Sequence, residues 1–256
     1  MKFTASVIIR NEADRYLRPF FDHLLEFVDE IRVLDDGSTD DFKEIGWYDD
    51  ERIVILRNDR SVFFEHEGRA RQALLDWTMQ GEPNVVLSID ADEFIDDGKA
   101  LRAAVERPNP SGVWQLNMEE IWKADEKGLS VRQDGGWQAH PIGIVYWVPP
   151  DHNTNRQTRR NWVMPDRALA CGRVPHLVGV WNRLQRSPVG SILHFGWTCE
   201  ADREARYQRY VTHDGGQHHA GSHLASIMYE DRKVQLTRRK WPNGLDKAAL
   251  LKRVNG

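Results

Sequence analysis

Four short runs rich in β-branched residues, at 3–9, 30–35, 52–56 and 85–89, alternate in the first hundred residues with segments of helical periodicity. Leu17, Phe20, Phe21, Leu24 and Val28 form one stripe, and Ala70, Ala73, Leu74 and Trp77 another. Spacing of i, i+3, i+4 puts each set on a single helix face. Strands and stripes in this order are both buried by an α/β arrangement, a mainly parallel sheet flanked by helices on both faces. Ser38 and Asp97 stand where helix N-caps should fall. Beyond residue 110 the pattern loosens. Further strands are predicted at 112–118, 143–148 and 190–195, with a long polar loop over 149–160. A helix is predicted from Glu200 to Val211, and a late helical pattern runs from Leu245 to Val254. Residues 1–199 therefore read as one domain, with 1–100 as its first half and 101–199 as its second, and 200–256 as a C-terminal helical extension.

The net charge of -4 conceals a split. Residues 1–100 carry 24 acids against 12 bases, and residues 101–256 carry 15 against 23. The second part also holds eight of the ten histidines and eight of the ten tryptophans, so a basic, aromatic half faces an acidic one. Cys171 and Cys199 are too few for a disulfide framework and lack zinc-finger spacing. No apolar run approaches the ~18 residues of a membrane helix. The strand-like start at Phe3 lacks the charged region and cleavage site of a signal peptide. These features lead us to expect a cytoplasmic protein, with peripheral contact to a membrane if its partner is a lipid.

In an open α/β sheet ligands bind beyond the carboxyl ends of the strands. Here those ends are polar: Arg10-Asn11-Glu12, then Asp35-Asp36-Gly37-Ser38-Thr39-Asp40, then Asp90-Ala91-Asp92-Glu93. Clustered carboxylates raise one another's pKa unless a positive charge joins them. Oxygen ligands of this kind suit Mg2+ or Mn2+, which bind through a few carboxylates and substrate phosphates. A phosphoacceptor receiver domain is excluded, because its acidic pair would end the first strand and here it ends the second.

Ser6–Asp14, Val33–Asp40, Gly68–Gln72 and Leu87–Phe94 closely resemble, in order and spacing, the family 2 glycosyltransferases of GT-A, Rossmann-like fold, in the branch with an Asp-Ala-Asp-Glu motif. The resemblance continues more weakly through Ile192–Trp197, Arg206 and Arg209-Tyr210. It implies a site for a nucleoside diphosphate sugar of UDP or GDP type, residues 1–100 forming the nucleotide half and 101–199 the acceptor half. Ile9, Arg10 and Asp36 would hold the base, Arg71 would lie near ribose or diphosphate, and Asp90 would face the ribose. Asn11, Glu12, Ala91 and Arg206 would complete the donor site. Asp92 would take the metal, with His194 as a further ligand. His218, His219 and His223 lie among glycines and make a poor rigid metal site.

An inverting transferase needs a carboxylate to accept the acceptor's proton. The late Glu-Asp or His-Glu pair of related enzymes is missing, since His176 precedes Leu177. Glu119 and Glu120 are the preferred candidates, ahead of Asp134 and Asp166. Period-two alternation sends Glu119 and Glu120 to opposite faces of a strand, so at most one reaches the site. Seven tryptophans from Trp114 to Trp197, with Arg156, Arg159, Arg160, Arg167 and Arg173, would meet a glycan, lipid-linked, protein or nucleic-acid acceptor, although tryptophans also fill cores. Competing readings are an inactive relative or nucleic-acid or carbohydrate-binding module, and a nucleotidyltransferase. The last lacks its Gly-rich loop after the first strand.

Overall fold

The computed structural model describes residues 1–40, 49–107, 112–151, 162–167, 172–175, 184–213, 226–228 and 233–255. Strands β1 (Phe3–Ile9), β2 (Glu30–Asp35), β3 (Ile53–Arg57) and β4 (Val85–Ser88) alternate with helices α1 (Leu17–Leu24) and α2 (Glu67–Met79). The short β5 (Glu93–Ile95) and helix α3 (Gly98–Val105) follow. Next come β6 (Val113–Asp125), β7 (Gly128–Arg132), β8 (His140–Trp147), β9 (Leu184–His194), α4 (Glu200–His213), β10 (Leu236–Arg239) and α5 (Lys247–Asn255). The sheet order is β10-β7-β6-β8-β4-β1-β2-β3, with β9 joined to β5 and β6. Its centre, β4-β1-β2-β3, is parallel, and the later strands extend it antiparallel except where β9 runs parallel to β6.

Alternation along β1 separates two layers. Phe3, Ala5, Val7 and Ile9 face the main core with Phe20, Phe21 and Leu24 of α1 and Leu101 of α3. On the other face Ser6 shares a 2.8 Å hydrogen bond with Thr78 of α2. The first helical stripe is buried as its spacing predicts; of the second, Ala70 and Leu74 are buried while Ala73 and Trp77 are half-buried, and Asp97 caps α3 by accepting from the Ala100 N–H at 2.9 Å. The Ser38 hydroxyl accepts from the Asn11 N–H at 3.0 Å, and the segment that it is expected to cap lies outside the described residues. Residues 41–48 and most of the 149–160 loop lie outside the described residues.

Three strands were not legible in advance. β5 has three residues, too few for a period, β7 is a short strand folded back on the end of β6 as a hairpin, and β10 is a short strand whose partner is distant in sequence. β10 pairs antiparallel with β7, Leu236 opposite Arg132, and Leu250 and Leu251 of α5 enter the main core. The C-terminal extension is thus helical only in part and continues both the sheet and the core. No helix among the described residues is long and apolar enough to cross a membrane.

His23 of α1 is buried, its ring 5.3 Å from that of Phe27 and 5.7 Å from that of Phe94. Burial pushes its pKa from 6.5 down to about 4, against a weak opposing pull from Glu26. A folded pKa below the unfolded one gives stability that is complete above about pH 6.5 and lost as pH falls toward 4. The loss is on the order of 3 kcal/mol. Urea unfolding of His23→Leu against wild type at pH 7 and pH 4.5 checks this: the variant should lose distinctly less stability across that interval.

Candidate active site

Parallel register brings the ends of β1, β2 and β4 to one edge, with Ile9 beside Asp35 and Ser6 beside Ser88. The loops beyond them are tied together. Asn11, at φ 53°, accepts from the Thr39 N–H at 2.7 Å, and the Asp36 N–H donates to the Ile9 carbonyl at 2.9 Å. The left-handed backbone suits Asn, one of the few non-glycine residues that tolerates it. Asp36, fully buried, accepts from Asn58 Nδ2 and the Val62 N–H at 2.9 Å, Ser61 Oγ at 2.5 Å and the Phe63 N–H at 3.0 Å. Its carboxylate therefore organises the loop after β3. Arg10 stacks over Phe64 of that loop at 4.8 Å, and Arg71 over Phe63 at 5.6 Å.

Beside this edge His194, at the end of β9, stands opposite Glu93 of β5 and Glu120 of β6. Its Nδ1 is 2.5 Å from Glu120 Oε2 and its Nε2 is 3.5 Å from Asp92 Oδ1. Arg206 of α4 donates to Asp92 Oδ2, and Arg15 Nη2 lies 3.8 Å from the same oxygen. Burial pushes the His194 pKa down, but Glu120 and Asp92 more than offset it and hold it up at about 10. Burial opposes ionisation of Asp92, yet Arg206, His194 and Arg15 keep it well below the ordinary carboxylate range. Glu12 is raised to about 7 by burial and by Asp92, with Arg15 opposing. Gly196 lies close against the trio: a Cβ there would come within 2.5 Å of Arg206 and 2.6 Å of both Asp92 and His194.

A second charge cluster adjoins the first. Asp90 sits 2.8 Å from Arg173 and 3.8 Å from Arg71, which is braced by Glu67 at 2.7 Å. Arg173 also donates to buried Glu93 at 2.5 Å. Ala91 is buried between the two aspartates. Beneath, a small cavity is lined by Ser6, Ser88, Arg71, Tyr146, Met164 and Arg173.

The structure gathers Glu12, Arg71, Asp90, Asp92, Glu120, His194 and Arg206 around this edge. Glu119 is not among them, a correction to its candidacy: it alternates to the opposite face and pairs with Arg239 at 2.8 Å. Asp134 accepts from Nε and Nη2 of Arg132, each at 2.8 Å, and exposed Asp166 pairs with His66 at 3.1 Å. Arg15 and Asp202 are near-site residues that spacing did not single out, because each reaches the cluster through tertiary contacts, and Arg173, read as part of an acceptor-facing basic run, pairs with Asp90 and Glu93. Of the tryptophans, Trp114, Trp122, Trp137, Trp162 and Trp197 are buried in the described structure, so they fill cores. Trp181, the 156–160 arginines and the His218–His223 group lie outside the described residues.

The model of the family described as glycosyl transferase family 2 matches residues 4–172. Uncharacterized protein Rv3786c of Mycobacterium tuberculosis is 26% identical over 209 residues, covering 80% of this chain and 49% of that protein. Uncharacterized protein Mb3815c of Mycobacterium bovis gives the same figures. The chain spans about half the length of these curated relatives. Among solved structures, S. aureus TarS residues 1–349 superposes with a TM-score of 0.51 at 16% identity, over 89% of this chain and 69% of that one, a likeness of fold.

A folded pKa of about 10 keeps His194 an imidazolium throughout the neutral range, and its stabilising contribution is full below 6.5 and lost as pH rises toward 10. Imidazole NMR on chelator-treated protein should show no His194 titration between pH 5 and 8. Glu120→Gln removes one of its two anions and should bring the midpoint down by at least one unit.

Proposed function

The chain belongs to glycosyl transferase family 2, and from that premise we propose that it moves a sugar from a nucleoside diphosphate donor of UDP or GDP type to an acceptor hydroxyl, with inversion. The observation that supports this most is the convergence of Asp92, His194, Glu120, Arg206 and Arg15 at the carboxyl edge of the parallel strands. Cleavage of the sugar–phosphate bond leaves a diphosphate of growing negative charge. Fixed cations at that point stabilise the transition state more than the ground state. Arg206 and Arg15 supply such charge, and Arg71 and Arg173 flank Asp90 where the ribose would lie. Ile9, Arg10, Asn11 and the loop clipped to Asp36 would frame the base.

The residues also fit a divalent cation, Mn2+ or Mg2+. Asp92 Oδ1 and His194 Nε2 face each other at 3.5 Å, within the span of about 3–4 Å that two ligands ~2.1 Å from a shared ion take. No third such side chain joins them among the described residues, which leaves the remaining positions for phosphate oxygens and water. Asp92 and His194 would hold the ion, which would act as a Lewis acid on the diphosphate. His194 would present a deprotonated Nε2 to it, and Glu120 would keep the ring oriented through Nδ1. Of the two glutamates, Glu120 remains the candidate carboxylate on the acceptor side.

Nucleotide release from a panel of donors, with anomeric NMR of the product, tests this reading. Asp92→Ala should abolish both transfer and donor hydrolysis, and EDTA should do the same until Mn2+ is restored. Glu120→Gln should lower kcat by about 100-fold or more. Calorimetry that finds no binding of UDP or GDP, with or without Mn2+, would overturn the proposal.

A further inference from the structure

Helix α5 lies beyond the residues matched by the family model, yet one of its side chains is wired to the site. Arg253 donates from Nη2 to Asp202 Oδ1 at 2.7 Å, and its guanidinium lies 6.0 Å from the ring of Tyr16. The other oxygen of Asp202 is 3.5 Å from Arg15 Nη2. Arg15 in turn donates to both oxygens of Glu12, at 2.7 and 2.8 Å, and faces Asp92 at 3.8 Å. Charges thus alternate from α5 to the site: Arg253, Asp202, Arg15, Asp92. The side chains are only 21%, 12%, 19% and 8% exposed, so solvent screens them weakly. Nε of both arginines is buried without a hydrogen-bond partner among the described residues, and each guanidinium is held by its other nitrogens.

The rest of α5 is fixed independently. Leu250 and Leu251 enter the core, and Lys247 donates to the Glu126 carbonyl at 2.7 Å. The helix therefore delivers the Arg253 guanidinium from a rigid base. We propose that Arg253 is a positioning residue for the donor site, dividing Asp202 so that Arg15 remains shared with Glu12 and Asp92. Without Arg253, Asp202 has Arg15 as its cation and draws it away from Asp92, the carboxylate at the diphosphate end of the site. The word donor here rests on the transferase reading above; the coupling of α5 to Arg15 does not.

Two arms separate these. The first needs no nucleotide: the Arg15 side-chain Nε–H resonance and the exchange protection of residues 12–16 are compared in wild type, Arg253→Met and Arg253→Lys. Methionine keeps the packing on Tyr16 and removes the charge; lysine restores charge. We expect a shifted Arg15 signal and at least tenfold lower protection in the Met variant, both largely restored in Lys, with β1 amides unchanged. An Arg15 signal identical in wild type and the Met variant overturns the proposal. The second arm measures UDP binding with Mn2+ by calorimetry. The Met variant should bind about tenfold more weakly and the Lys variant within threefold of wild type; equal binding by a folded Met variant overturns positioning of the donor site. A wild type that binds neither UDP nor GDP defeats the transferase reading instead, and the first arm still decides the coupling.

Discussion

A buried imidazolium between two carboxylates is the interaction on which the site depends. Charges out of water are tolerated only in well-made pairs, and removing one partner of a buried pair costs about 3–5 kcal/mol. His194 answers Glu120 and Asp92, and Asp92 is shared further with Arg206 and Arg15. These groups come from the turn between β4 and β5, from β6, β9 and α4, and from the loop after β1. Each of those elements is therefore pinned to the others by electrostatics as well as by packing. Register is what makes this possible: Glu120 and Glu93 lie directly beside His194 on neighbouring strands, and a one-residue slip would send the glutamates to the opposite face.

Below these charges lies an aromatic and cationic layer. Arg132, fully buried, sits 4.4 Å from the rings of both Trp122 and Trp137 and is neutralised by Asp134. Trp137 meets Trp197 edge-on at 5.0 Å, and Trp197 meets His194 at 5.9 Å and carries Arg206 at 4.8 Å. Desolvated cation–π contacts of this kind contribute about 2 kcal/mol each. Trp122, Trp137 and Trp197 thus back the site from inside, while Trp114 and Trp162 fill other parts of the core.

The first hundred residues were legible because their contacts follow local periods. Strands of the central sheet, the α1 stripe and the Asp97 cap emerge from spacing alone, and the polar strand ends meet at one edge. Glu119 and Glu120 show where that logic stops. Alternation states that only one faces the site; which one depends on β9 and on Arg239, 120 residues away in sequence. Arg173 looked like one of a basic run because its role is set by Asp90 and Glu93 across a loop. Asp36, expected to meet a base, turns its carboxylate to the loop over 58–63, a partner that no spacing rule specifies.

The C-terminal segment illustrates the same limit with more consequence. Its helical periodicity was visible, but a short amphipathic helix can dock anywhere that an apolar face is open. What locates it is a set of unlike contacts: β10 completing β7, Trp241 stacked on Phe195 at 6.3 Å, and Arg253 against Asp202 and Tyr16. Phe195 directly follows His194, and its carbonyl accepts the Tyr16 hydroxyl at 3.1 Å. The tail therefore buttresses the end of β9 on which the imidazole is mounted. Matching the family model ends at residue 172, whereas the charge network closes only with residues from 194 to 253. The physical unit that holds the site is larger than the segment that the family model matches.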